Sequence, residues 1–308
     1  ELITSESTEI SNNTARYSGG GVSIGGPIEM SMIAPNSIIA FNDALGQAAG
    51  TGFGGGLQVS GRAIAYIGSS GLGGLGAIYA NNAIDGGGIS INSGAADGAD
   101  AQVYLFTTNP SQPVTVRGNY ASGTGGGIYL QSYSGFSAEA YGRLCAWDFR
   151  IEDNAARDGS AIYLDSDSFL DSPVGSTVKL NDPACTPPGG VRCSSGTMCN
   201  TISANDAVTT SGQFSDGATI RLLARANITA YRFEMRGNRA RDGMRADGSG
   251  SYIAISDCLL VENQLARQLI RSEGSTSFGA IDNCTVARNT IGSTDVLHNE
   301  YRLSLSAS

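Results

Sequence analysis

The stretch NNTARYSGGGVSI, residues 12–24, contains two motifs that recur along the chain. An aliphatic residue lies three places before Asn13, an alanine lies two places after it, and a triple glycine opens a short alternating apolar run. The asparagine recurs, each time with an aliphatic residue or a methionine three places before it, at Asn13, Asn42, Asn81, Asn119, Asn154, Asn205, Asn238, Asn263 and Asn289. Such self-similarity is the sequence signature of a repeat architecture.

The spacing of the repeats and a second motif indicate that each copy is one coil of short strands. Successive asparagines lie 25 to 51 residues apart. Most copies also carry Gly-Gly-Gly-apolar-x-apolar, as in GGGVSI, GGGLQV, GGGISI and GGGIYL, with GSAIYL as a weaker form. Helical periodicity is almost absent, and only the ENQLARQL pattern within 261–271 could form a turn or two of helix. We therefore predict an all-β solenoid.

A single-domain parallel β-helix over residues 1–308 is the expected architecture. Each repeat has room for two or three strands, and strands that recur in the same chain direction pair in parallel with the coil before and the coil after. Nine or more coils of this kind, stacked about 4.8 Å apart, would make a rod of roughly 45 Å.

The repeated asparagine is interpreted as structural in every copy. In a stack of coils, one asparagine per coil at an inward bend can form a ladder in which side-chain amides bond along the column. Asparagine also tolerates the left-handed backbone that a sharp corner requires. The small alanine would fit the inside of that corner. The glycines would supply a positive φ at the next bend and allow neighbouring backbones to approach closely.

The pairing of a glycine motif with an aliphatic-x-x-Asn motif resembles the repeat of the polymorphic outer membrane proteins and of related bacterial β-helix surface proteins, the autotransporter passenger repeats. The resemblance covers nearly the whole chain, and it implies a right-handed coil and exposure at the cell surface. The chain departs from that family in having GGG[VLI] where the family has GGA[ILV], and an aliphatic residue where the family has Phe. The resemblance implies no activity.

Composition narrows the class of partner and the compartment. The net charge is -9, only 15% of residues are charged, and 43 are glycine. An acidic surface repels nucleic acid and anionic membranes, so we expect neither as a partner. No run of 18 apolar residues predicts a membrane span. The six cysteines and the many small polar residues suit an extracellular or cell-surface location, and a chain that starts at Glu1 is expected to be a processed or trimmed product.

A Cys/Pro-rich loop insertion is predicted at 181–200, within the longest spacing between repeats. Cys185, Cys193 and Cys199 lie there, and Cys145 is available as a fourth partner. We favour disulfides over a metal site, because the spacing matches no usual zinc motif and no histidine is near. Cys258 and Cys284 each lie five residues before a repeat asparagine, so they should stack in adjacent coils. A disulfide and a stacked pair of free thiols both fit that position.

No cofactor is expected, with calcium as a weak candidate. Asp165, Asp167 and Asp171 could supply oxygen ligands, as could the acidic pairs Asp97 with Asp100 and Asp242 with Asp247. None of these groups matches a complete calcium loop.

Three functions are compatible with these observations. The first is a non-enzymatic extracellular structural or adhesive module: a surface stalk, a surface-layer component or a filament subunit that self-associates through its end coils. The single histidine, His298, lies close to the C-terminus, so we expect neither a Ser-His-Asp triad across the coils nor a metal site with several histidines.

The alternative is a polysaccharide lyase or glycoside hydrolase, with Asp153 beside Arg150 or Arg157 in stacked coils. A third hypothesis is passive binding of a glycan or cell-surface partner by a face that carries Tyr104, Tyr129, Tyr133 and Tyr163.

Overall fold

The computed structural model describes residues 8–26, 31–33, 37–48, 51–69, 77–93, 100–107, 113–134, 139–166, 176–185, 200–207, 213–248, 250–273, 278–293, 295–299 and 303–306. Within these ranges the chain forms a right-handed parallel β-helix and contains no helix. Nine coils each contribute one strand to each of four sheets. The predicted fold class is confirmed. The prediction of two or three strands per coil was wrong, because the strand after each repeat asparagine is mostly two residues long and shows no alternation.

The four sheets are named in the order in which a coil passes through them. The first sheet consists of Glu9–Ser11, Ile38–Ala40, Ala77–Tyr79, Val114–Arg117, Phe149–Glu152, Asn200–Ser203, Phe233–Arg236, Leu259–Val261 and Thr285–Ala287. The second consists of Thr14–Ala15, Asp43–Ala44, Asn82–Ala83, Tyr120–Thr124, Ala155–Asp158, Asp206–Ala207, Arg239–Ala240, Gln264–Leu265 and Thr290–Ile291.

The third and fourth sheets complete each coil. The third consists of Val22–Ile24, Leu57–Ser60, Ile89–Asn92, Ile128–Ser134, Ile162–Ser166, Ala218–Leu223, Asp242–Asp247, Ile270–Glu273 and Leu297–Asn299. The short strand Glu139–Ala140 pairs antiparallel with Ile128–Ser134. The fourth consists of Ser31–Ile33, Ile64–Ser69, Ala101–Thr107, Gly142–Ala146, Thr177–Leu180, Asn227–Tyr231, Tyr252–Ser256, Phe278–Asp282 and Leu303–Ser306.

Inward-facing apolar side chains stack in columns from coil to coil. Ile39, Ile78 and Val116, each three places before a repeat asparagine, are paired in register in the first sheet. Ile89 and Ile128 are paired in the same way in the third sheet, and both are fully buried. A parallel stack therefore builds its core from the same few positions of every coil, which explains why the sequence repeats them.

The segment 261–271 contains no helix, although its spacing of apolar residues suggested one. It includes the strand Gln264–Leu265 and the start of the strand Ile270–Glu273. Leu265, Leu269 and Ile270 are all buried because the chain turns a corner there and faces the core from two different sheets. In the described part of the chain, no helix has the length and hydropathy needed to cross a membrane.

The first two glycines of the triple-glycine motif each have one of the two predicted roles: the first has a positive φ, and the second allows a close approach of neighbouring backbones. The first glycine has a left-handed backbone, with φ of +66° at Gly54 and +68° at Gly86, which an L side chain rarely adopts. The second allows close approach of two coils. A Cβ added at Gly55 would lie 2.4 Å from the carbonyl oxygen of Asn82.

The left-handed residue at the asparagine corner is the one before the asparagine, so the prediction that the asparagine itself adopts this conformation was wrong. The nine corner residues have φ between 53° and 63°. They are Asn12, Phe41, Ala80, Gly118, Asp153, Ala204, Gly237, Glu262 and Arg288. The chain must complete its reversal before the asparagine so that the asparagine side chain can point into the coil.

Candidate functional site

A column of asparagine side chains runs along the rod between the first and second sheets. In each of eight steps, Nδ2 of one asparagine donates to Oδ1 of the next over 2.9 or 3.0 Å. The asparagine ladder comprises Asn13, Asn42, Asn81, Asn119, Asn154, Asn205, Asn238, Asn263 and Asn289. The predicted ladder is confirmed.

The amide of an interior ladder residue is fully used by its neighbours. Oδ1 of Asn154 accepts hydrogen bonds from the backbone N and from Nδ2 of Asn119. Its Nδ2 donates to Oδ1 of Asn205 and to the carbonyl oxygen of Val116, both over 3.0 Å. A carboxamide has two donors and two lone pairs, so no group remains for a ligand. The ladder is therefore structural.

Both disulfides that the described residues contain join neighbouring turns of the chain. Cys145 is bonded to Cys185 across a sequence separation of 40, with the Cα atoms 5.8 Å apart. Cys193 and Cys199 lie outside the described residues. Cys258 is bonded to Cys284, with the Cα atoms 4.4 Å apart, which resolves the choice between a disulfide and free thiols. Left-handed residues, Asp257 and Asn283, precede the two cysteines and place them at a corner rather than on a flat strand.

Only some of the calcium candidates lie in the part of the chain that the structure describes. Asp165 lies within the third-sheet strand Ile162–Ser166, while Asp167, Asp171 and Asp97 lie outside the described residues. Within the described ranges, no three acidic, cysteine or histidine side chains converge as ligands for a metal ion. Calcium binding stays an untested prediction.

Tyr129 and Tyr163 stack on each other, but Tyr129 is not an open platform for a sugar. Tyr129 lies between Phe53 and Tyr163, with ring centroids 5.8 and 5.7 Å apart. Its side chain is only 5% exposed, so a sugar cannot lie on it. Burial, with the carboxylates of Asp165 and Asp85, raises the pKa of Tyr129. Tyr163 continues the column toward the C-terminal coils.

A column of arginines continues the tyrosine column on the outer face of the third sheet. Tyr163 pairs in register with Arg221, Arg221 with Arg245, Arg245 with Arg271, and Arg271 with His298. The column thus presents one guanidinium per coil over three coils. Coils stack about 4.8 Å apart, so the cations follow one another at that spacing.

Beside this column lies a groove of about 540 Å³, which we call the arginine groove. Its arginines come from four consecutive coils, and two aspartates and three small residues complete the lining. The lining residues are Gly123, Thr124, Arg157, Asp158, Asp216, Gly217, Arg221, Arg241, Arg245 and Arg267. The chain carries a net charge of -9, whereas five arginines and only two aspartates line this groove, so cations are concentrated there.

Carboxylates next to the groove hold the guanidinium groups in place. Arg245 donates from Nε to Asp247 over 3.1 Å and from Nη2 to Glu273 over 3.2 Å. Arg267 pairs with the fully buried Asp242 over 2.7 Å. An arginine has five N–H donors, so such a pair fixes the side chain and leaves other donors available.

Arg221 retains unused donors inside this network. It is 9% exposed, and it forms ion pairs with Asp247 and with Asp158. Its Nε lies 3.7 Å from the carboxylate of Asp158, beyond hydrogen-bond distance, and its buried Nη1 has no hydrogen-bond partner. Burial raises the pKa of Asp158, against the opposing effect of Arg221 and of two backbone N–H groups. Buried N–H donors of a cation without partners indicate a place where an anion would be stabilised.

The residues named for a hydrolase site are distributed over different faces. Arg157 lines the arginine groove, whereas Arg150 lies on the first sheet and is exposed. Asp153 is an exposed corner residue with φ of 55°. The sequence hypothesis therefore identified one groove residue and missed the rest.

A second, smaller groove of about 300 Å³ lies on the fourth sheet beside the disulfide of Cys145. Tyr104 and two cations line it, and Tyr104 stacks on Tyr66 with ring centroids 4.9 Å apart. Arg143 pairs with Asp100 over 2.8 Å, and Lys179 lies 3.9 Å from Asp182. Both cations of this groove are paired with a carboxylate, whereas Arg157 of the arginine groove makes no ion pair with a described residue, so the arginine groove is better suited to an anion.

Comparisons with known proteins found no related protein. No protein-family model matches the chain, and neither the curated proteins nor the solved structures contain a match to it. The likeness to the polymorphic outer membrane proteins thus rests on the repeat motifs, while the β-helix itself is shown by the structure.

Proposed function

We propose that this protein is a non-enzymatic structural and adhesive module that acts outside the cell or on its surface, in the manner of the surface β-helices that its repeats resemble. The observation that carries the proposal is the asparagine ladder. Eight consecutive side-chain links run from Asn13 to Asn289, parallel to the rod axis. A ladder of this length makes the coils a continuous stiff support on which a surface can be displayed.

The disulfides support an extracellular location. Both described disulfides connect segments of different coils, and such bonds persist in oxidising compartments rather than in the cytosol. Labelling of intact producing cells with an antibody against the protein tests this part of the proposal. We expect labelling without permeabilisation; labelling that requires permeabilisation would contradict it.

End-to-end association is the form of the structural role that the ladder favours. Its donors all point toward the C-terminal coils, so one end of the column offers the acceptor of Asn13 and the other the donors of Asn289. Val286, at the C-terminal end of the first sheet, is 43% exposed. A second copy stacked in register would continue the ladder and cover that side chain.

Electron microscopy with light scattering on the same sample tests the association. Rods whose lengths are multiples of roughly 45 Å are expected if copies stack. A uniform species of 31.6 kDa would exclude the stacked form and leave the single-rod stalk.

A polysaccharide lyase is the second candidate function, because the arginine groove offers guanidinium groups that could hold the carboxylates of an acidic substrate. Arg241 lines this groove and pairs with Asp216 at its mouth. Incubation with polygalacturonate, followed by ultraviolet absorbance of an unsaturated product, tests it. Product that is lost in Arg241→Ala would establish the lyase and overturn the non-enzymatic proposal.

A further inference from the structure

We infer that the arginine groove binds an acidic polysaccharide, a linear saccharide chain bearing carboxylate or sulfate groups, laid along the rod axis. The inference goes beyond the proposed structural role, because it assigns a ligand class to a surface that the ladder does not use. If it failed, the evidence for the rod would be unaffected.

The length and direction of the groove indicate a polymer rather than a single small anion. Arg157 belongs to the fifth coil, Arg221 to the sixth, Arg245 to the seventh and Arg267 to the eighth. Four coils span about 14 Å along the rod at the spacing of stacked strands. A chain with an anionic group on each unit can contact these cations in succession.

The donor chemistry fits planar or tetrahedral oxyanions. A guanidinium offers paired N–H donors to carboxylate, sulfate or phosphate oxygens. Nη1 of Arg221 is buried without a hydrogen-bond partner, and Arg157 is exposed and makes no ion pair with a described residue. The ion pairs of Arg245 with Asp247 and Glu273 hold its guanidinium in a fixed position next to these groups.

The remaining lining distinguishes a saccharide from a polyphosphate. The side chain of Asp216 is 89% exposed, and it pairs with Arg241 at the mouth of the groove. Asp158 and Thr124 also line the groove. Carboxylate and hydroxyl oxygens accept hydrogen bonds from sugar hydroxyls, whereas the backbone of a polyphosphate has no hydroxyl groups to donate.

Binding to defined oligosaccharides tests the inference. Isothermal titration at 50 mM salt would use an oligogalacturonate as the carboxylate probe, a heparin oligosaccharide as the sulfate probe, dextran as the neutral probe and single-stranded oligothymidylate as the phosphate probe. We expect binding of at least one acidic oligosaccharide and none of dextran. The stronger of the two acidic probes identifies the anion.

Two matched variants separate the groove from general electrostatics. Arg157→Glu reverses a charge in the groove, and Arg150→Glu makes the same change in the same coil on the first sheet. We expect the first to weaken binding about tenfold or more, equivalent to about 1.4 kcal/mol, and the second to leave it within about twofold. Thermal unfolding of both variants checks the fold, and Arg241→Gln replaces Arg157→Glu if the latter is unfolded.

Four outcomes would overturn the inference. They are no binding of either acidic probe by the unmodified protein, equal loss in the two charge reversals, dextran binding as tight as the acidic probes, and tighter binding of oligothymidylate. The last outcome would assign the groove to a polyphosphate instead.

Discussion

The carboxamide of Asn154 donates a 3.0 Å hydrogen bond to that of Asn205, although 51 residues separate the two in sequence. The excursion that contains Cys185 lies between them, yet the ladder continues with the same geometry as in shorter repeats. The position of a coil is thus determined by the stacking of its corner and is independent of the length of chain between corners.

Removal of an interior ladder amide is expected to destabilise the protein strongly. In Asn154→Ala, the backbone N and Nδ2 of Asn119 and the carbonyl oxygen of Val116 lose buried partners. Several unsatisfied groups of this kind should reduce the free energy of unfolding by roughly 3–5 kcal/mol, measured by urea denaturation. Asn13→Ala, at the exposed end of the ladder, serves as the control, and an equal loss in both variants would contradict a ladder that stabilises through burial.

The second glycine of the triple-glycine motif should tolerate no side chain. A Cβ at Gly87 would lie 2.4 Å from the carbonyl oxygen of Tyr120 and 2.7 Å from that of Gly126, so backbone must move. We expect Gly87→Ala to lower the free energy of unfolding by about 3 kcal/mol.

Gly118→Ala is the matched comparison, because its Cβ meets nothing within 4 Å and only the φ of +60° opposes it. It should lower the free energy of unfolding by about 1 kcal/mol. The same thermal shift in Gly118→Ala and Gly87→Ala would show that close approach of the coils is not what requires glycine.

Loss of the disulfide between Cys258 and Cys284 should loosen the C-terminal coils. The bond closes a sequence separation of 26, and the double variant Cys258→Ser with Cys284→Ser should be less stable by about 3 kcal/mol. Hydrogen exchange should increase in the strands Leu259–Val261 and Thr285–Ala287 and stay unchanged in Val114–Arg117. A uniform increase in hydrogen exchange along the whole rod would show that unfolding is global and that the disulfide does not stabilise the C-terminal coils locally.

The buried carboxyl of Asp148 should make stability depend on pH. Burial raises the pKa of Asp148 to about 6 from 3.8, and neither carboxyl oxygen has a hydrogen-bond partner. The folded state therefore holds this proton more tightly than the unfolded state. Protonated Asp148 therefore contributes up to about 3 kcal/mol to the free energy of unfolding. This contribution is fully present below about pH 4 and is lost as the pH rises through about 6.

Asp148→Asn removes this titration and keeps a residue that accepts a left-handed corner. The melting temperature of the variant, relative to that of the unmodified protein, should rise between pH 4 and pH 7. A difference that stays constant over this range would show that Asp148 has an ordinary pKa.

The ladder and the glycine bends could be predicted from sequence because one residue type occupies the same position in every coil. Asn42 and Asn81, for example, are the same residue type at the same place in successive repeats, and this alone predicts that they stack. The arginine groove was missed because Arg157, Arg221 and Arg267 come from different strands and meet only when loops of unequal length are placed.

The sequence nevertheless contains a pattern from which the arginine column could have been predicted. When the third-sheet segments AIYL, TIRL and GMRA are aligned on their apolar positions, Arg221 and Arg245 occupy the place of Tyr163. The structure confirms that register. The unused buried donors of Arg221 could not be predicted, since they depend on where Asp158 and Asp247 lie around the guanidinium.

The corner residues before the ladder asparagines form an edge along the rod whose side chains differ from coil to coil. Phe41, Asp153, Glu262 and Arg288 share one left-handed backbone but have unrelated chemistry, and all four are exposed. The ladder behind them holds the bend, so the bend does not require one particular side chain. Neighbouring corners can interact, as Glu262 and Arg288 do in an ion pair of 2.8 Å, and the edge is therefore a strip of varied, adjacent side chains displayed on a uniform interior.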